Sequence, residues 1–159
     1  MSTYTFIERD ILNTAILPDE PENVASYITK TTYRSGLVGP KVTSLIPTAN
    51  SPGNTLDGEI DWKRQTFSIA GLATRWEELR SKPEGITDST REWRWIGKRF
   101  MVKYKDNTWL ARVGSPYGPV DATFTIRQSR ILHQSNPATI AFSSGVSARD
   151  RLFLLMVMI

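Results

Sequence analysis

Seven basic residues crowd positions 91 to 112: Arg91, Arg94, Lys98, Arg99, Lys103, Lys105 and Arg112, against Glu92 and Asp106. Cations gathered on one surface attract phosphates and carboxylates, and arginine grips either through paired hydrogen bonds. Other reactive residue types are thinly spread. His133 is the single histidine and cysteine is absent, so no thiolate nucleophile or His/Cys metal set can be assembled. Asp57, Glu59 and Asp61 alternate at strand spacing, which suits a weak cation site at most and a solvated face more simply. No Gly-x-Ser-x-Gly, P-loop, dinucleotide-binding glycine pattern or His-Glu-x-x-His occurs. No catalytic residue, metal or cofactor is therefore expected, and the balance leans away from an enzyme.

Whether the cations act together depends on the strands that carry them. Trp93 and Trp95 alternate with Glu92 and Arg94, Gly97 turns the chain, and Phe100, Val102 and Tyr104 alternate with Arg99, Met101, Lys103 and Lys105. Asp106-Asn107 reads as a two-residue turn, since both types tolerate positive φ. That turn pairs Tyr104 with Trp109, Val102 with Ala111 and Phe100 with Val113 on an apolar face. The other face then pairs Lys105 with Thr108, Lys103 with Leu110 and Met101 with Arg112. A slip of one residue would mix the two faces, so the register is well specified. Arg94, Arg99, Lys103, Lys105 and Arg112 thus share the outward side as a shallow anion-attracting surface suited to lipid phosphates. The plainer alternative is a solvated face that guards a sheet edge. Nucleic acid would want aromatics among the cations, and here the tryptophans point inward.

The rest of the chain reads as short strands. Thr3 to Glu8, Asp10 to Leu17, Val24 to Tyr33, Lys41 to Ile46, a hairpin of Leu56 to Trp62 with Thr66 to Ala70, Val120 to Ile126, and Thr139 to Phe142 carry strand-type residues. Pro18 to Asn23, Thr48 to Asn54, Lys82 to Thr90, Gly114 to Pro119 and Ser129 to Pro137 read as loops or turns. Thr74 with Glu77 reads as a capping box opening one or two helical turns, with Leu72, Trp76 and Leu79 at helical spacing.

The chain ends differently. Leu152 to Ile159 is apolar at every position, and Ser147 with Asp150 reads as a capping box before it. A helix with no polar face must be enclosed on all sides. At about 1.5 Å per residue this run is well short of a bilayer's roughly 30 Å core, so it is expected as a buried helix and not a transmembrane span. A sandwich core about 10 Å thick has no room for a helix, whereas a barrel of many strands has a lumen to fill. The expected architecture is mainly β, a many-stranded antiparallel closed barrel around a hydrophobic C-terminal helix, with one short extra helix.

The 159 residues suit a single domain spanning 1–159, with 40% apolar and 23% charged residues in the globular range. Met1 to Asp10 holds Glu8, Arg9 and Asp10 and no apolar run, so no signal peptide is read and cytoplasmic residence is expected. A net charge of +4 is a mild bias toward anionic partners.

These features resemble the tubby C-terminal-like fold shared by LURP-one-related proteins and phospholipid scramblases. More narrowly, the chain is similar to a family of small basidiomycete proteins of unknown function assigned to that fold. The resemblance rests on Asn13-Thr14 with Tyr27, Ile28 and Thr29, the Trp62 hairpin, the Trp93/Trp95 ladder within Arg91 to Trp109, and Asp150 before the apolar end. It implies a polar continuation beyond the helix, where this chain stops at Ile159. It also implies, by analogy with tubby domains, phosphoinositide binding through basic residues on the barrel's outside. The leading expectation is a non-catalytic module that associates with anionic phospholipid, peripherally at a membrane. The alternative is a fungal recognition or defence protein that binds a glycan or protein partner through the rim loops Thr48–Asn54 and Gly114–Pro119. A solvent-facing Trp76 or Tyr117 would favour it.

Overall fold

The computed structural model describes residues 1–19, 26–33, 35, 39–48, 56–130 and 133–159, leaving aside the side chains of 128–130 and 133–135. Among the described residues seventeen elements follow one another: β1 Ser2–Phe6, β2 Ala15–Pro18, β3 Tyr27–Tyr33, β4 Pro40–Pro47, β5 Gly58–Asp61, β6 Thr66–Ile69, β7 Leu72–Arg75, α1 Trp76–Leu79, β8 Arg80–Ser81, β9 Arg91–Trp95, β10 Lys98–Lys105, β11 Thr108–Val113, β12 Ala122–Thr125, β13 Gln128–Arg130, β14 His133–Asn136, β15 Thr139–Phe142 and α2 Ala148–Met158. Thirteen strands form one antiparallel sheet in the order β7-β6-β5-β4-β3-β2-β1-β15-β12-β11-β10-β9-β8, and β13-β14 make a separate ribbon.

The expected closed barrel is corrected in one respect: hydrogen bonds do not close the sheet. Its edges are β7 and β8, and these are consecutive in the chain with only α1 between them. Side chains bridge the gap instead. Phe67 of β6 meets Trp93 of β9 with ring centroids 5.7 Å apart, which requires the sheet to curl until its two margins face each other. Trp76 of α1 packs on Phe67 and Trp62 beside them. The reason the edges stay apart is local. Thr74 is still paired in β7 with Phe67, so Arg75 precedes the helix with no side-chain cap, and the expected Thr74/Glu77 capping box does not form. A single uncapped turn then leads straight into β8.

Helix α2 lies within the curl. Phe153 touches Phe67, Trp93, Trp95 and Phe100, while Arg151 reaches the Tyr4 hydroxyl and the Phe142 ring on the opposite strands. Leu152 to Met156 are all buried. Gly58 of β5 faces the helix, where an added Cβ would come within 3.1 Å of Leu152 and Met156, so a bare backbone lets the helix approach. Ser147 caps the helix, accepting from the Asp150 N–H and donating to its carboxylate. Asp150 is 6% exposed and also accepts from Lys98. Thr29, Thr31 and Thr43 are buried as well, and the Thr43 hydroxyl bonds Thr31 and accepts from the Trp62 indole N–H.

Two further expectations change. Asp10 to Asn13 is a turn and not the start of a strand, because the Asp10 carboxylate accepts from the Leu12 N–H and the Asn13 side chain. Ser129 to Pro137, expected as a loop, contributes to the β13–β14 ribbon, whose polar strands carry no apolar alternation to announce them. Among the described residues no helix is long and apolar enough to cross a membrane.

Candidate functional site

The expected register of the central hairpin holds at all six pairs, from Phe100 with Val113 to Lys105 with Thr108. Asp106 and Asn107 take φ values of 52° and 61°, which closes the turn. On the adjoining side Arg99 pairs with Arg94 and Met101 with Glu92. The outward face is therefore a lattice with Arg94 beside Arg99, then Glu92, Met101 and Arg112, then Lys103 with Leu110, then Lys105.

That face is not the open, shallow surface expected. Met101 and Glu92 are buried on it, and residues 85–88, 90, 116 and 117 lie alongside Met101. Together they form a cleft of about 500 Å³. Lys103, Lys105 and Arg112 supply its cations, Asp88 its one acid, and Met101 with Leu110 an apolar floor. Tyr117 stands on the rim, 91% exposed.

Each charge has a distinct tether. Lys103 donates to Asp88, whose other oxygen accepts from the Thr90 N–H. Lys103, and after it Thr90, holds the Asp88 carboxyl well below the usual carboxylate range. Lys105 lies 3.8 Å from Asp106 with both side chains largely in solvent, a contact worth little. Arg112 donates through Nε to the Gly118 carbonyl at 2.9 Å, which aims the guanidinium and leaves its other donors for a ligand. Arg94 pairs with buried Glu92, and Arg99 has no ion pair among the described residues. Strand rise of about 3.3 Å per residue puts Arg99 roughly 13 Å from Lys103. So the structure gathers Lys103, Lys105 and Arg112 in one cleft and sets Arg94 and Arg99 apart, next to the β9–β10 turn.

Sequence reasoning missed Asp88. It sits in the stretch read only as a loop, and strand alternation says nothing about which loop residue folds back over a sheet. Trp76 is partly buried in the seam, whereas Tyr117 faces solvent. Asp61 caps a turn by accepting from the Lys63 and Arg64 N–H groups, and no metal-holding cluster is found among the described residues. The His133 side chain and residues 49–54 of the first rim loop lie outside the described residues.

A scan against protein-family models finds no match, and searches of curated proteins and of solved structures find none either.

Proposed function

We propose that this protein is a non-catalytic binding module that takes the phosphates of anionic phospholipid headgroups into the cleft, working peripherally at a membrane with cytoplasmic residence. The observation that carries this reading is the convergence of Lys103, Lys105 and Arg112 on one cleft with a single opposing carboxylate. A phosphate offers three acceptor oxygens to two ammonium groups and a guanidinium already oriented by Gly118. It displaces Asp88 from Lys103 as it enters. The kinship we propose with tubby-like domains is supported by the apolar helix wrapped in a many-stranded antiparallel sheet, and in that family basic groups on the outside of the barrel serve the same role.

The test is co-sedimentation with phosphatidylcholine vesicles containing phosphatidylserine or phosphoinositide. Basic residues near an anionic membrane contribute about 1 kcal/mol each, so Lys103→Glu with Lys105→Glu weakens binding by roughly thirtyfold or more. Added salt weakens it as well, by screening. Absence of pelleting at low salt, or indifference to the double substitution, rejects the reading.

One observation favours a second reading. Tyr117, exposed on the cleft rim beside the loop that Arg112 grips, could stack on a sugar ring with its acidic substituent among the cations. Retention on a glycan array that Tyr117→Ala abolishes, with no vesicle binding, would select that alternative.

A further inference from the structure

Among the described residues three two-residue turns in the sheet place both central residues at positive φ: Ala70-Gly71, Ile96-Gly97 and Asp106-Asn107. Asparagine, aspartate and glycine suit such turns. Isoleucine does not, since a β-branched residue in the left-handed region is a steric outlier. Ile96 nevertheless holds φ 46°. The fold offers no compensation, because Ile96 is 55% exposed at the tip of the β9–β10 hairpin. A local rule broken without a gain in packing points to a task outside the fold.

Its neighbours describe that task. Arg94 and Arg99 sit directly opposite one another just behind the tip, and while Glu92 pairs with Arg94, Arg99 has no ion pair among the described residues and is left to take an anion. The exposed Tyr117 belongs to the same end of the molecule, because β11 ends at Val113 where β10 begins and the Gly114 N–H bonds to the Arg99 carbonyl at 2.8 Å. Arg149, exposed in the first turn of α2 just before the Asp150 that accepts from Lys98, adds a further cation. The nearby acids are engaged within the fold: Glu92 with Arg94, Asp150 with Lys98 and Ser147, Asp121 with the Val113 N–H and the Ser143 hydroxyl. An apolar tip and an aromatic rim inside a collar of arginines match the layering of an anionic bilayer, with phosphates outside and acyl chains beneath.

We infer that the protein meets the membrane end-on, Ile96 and Tyr117 entering the interface of an anionic bilayer while Arg94 and Arg99 hold its headgroup phosphates. This rests on the membrane reading above and adds the element that inserts.

The chain has no cysteine, so Ile96→Cys provides a unique site for an environment-sensitive fluorophore. With phosphatidylcholine vesicles containing phosphatidylserine, its emission shifts to the blue and is quenched by lipids spin-labelled near the headgroup. The same label at Ile28→Cys, an exposed position on β3 across the sheet, stays in water. Ile96→Asn separates the roles: vesicle partitioning falls about tenfold with the loss of one large apolar side chain. Tm rises as the turn relaxes, and binding of soluble inositol trisphosphate is unchanged. Vesicles that pellet the protein while the Ile96 label remains in water, or partitioning indifferent to Ile96→Asn, overturn the inference and leave the headgroup cleft standing. No pelleting at all removes both.

Discussion

Asp88 is the residue on which the cleft turns. It neutralises Lys103 and competes with any incoming anion, so Asp88→Asn is expected to raise affinity for anionic vesicles about fivefold, the effect of one charge near the surface. Asparagine still offers an oxygen to the Thr90 N–H, so the loop keeps its turn. Stability moves the other way, and the sign follows from the ion pair. The folded carboxyl is held below its ordinary value of about 3.9 chiefly by Lys103, so its contribution is present above that pH and is lost as pH falls through the folded value. The Asn13 side chain lowers the Asp10 carboxyl in the same sense. Melting followed from pH 6 down to pH 2 should therefore show a shallower loss in Asp88→Asn than in the unaltered protein. The cations of this site were legible from alternation alone, because Lys103, Lys105 and Arg112 inherit their side of the sheet from the register. Asp88 was not, since its place depends on a loop folding over that side.

Among the elements, α2 does most to hold the sheet in its curl. Phe153 backs both margins of the seam through Phe67 and Trp93, and stacks on Trp95 at 5.1 Å. Phe153→Ala should cost about 3–5 kcal/mol in denaturant unfolding, the range for losing a fully buried aromatic. Gly58→Val presses on the helix from the other side, where 3.1 Å is already closer than an ordinary contact, and should cost about 1–3 kcal/mol by overpacking. A neutral result at Gly58 would mean that the helix can shift within its sheath. That α2 must be buried was plain from eight consecutive apolar residues. The single turn of α1 was harder to place, because Thr74 and Glu77 have the spacing of a cap while β-pairing with Phe67 claims Thr74 first.

At the scale of the whole molecule the seam between β7 and β8 is the least secured line. No backbone ladder crosses it, and its closure relies on Phe67, Trp76, Trp93 and Phe153. Amides of β7 and β8 should exchange with deuterium faster than those of β10 and β11, which lie inside the sheet with a ladder on each side. Equal protection across the seam would show that the margins are bonded in solution. Sequence alone determined the period and register of the β10–β11 hairpin, the turn at Asp106-Asn107, the outward cations and the need to enclose the C-terminal helix. All of these follow from interactions between residues close in the chain, or from the cost of leaving apolar surface in water. Only the tertiary structure decided that the sheet stops short of closing and that two loops turn a flat basic face into a cleft. It also decided that Ile96 and Tyr117 share one end. Those outcomes depend on contacts between residues far apart in sequence, which no local pattern encodes.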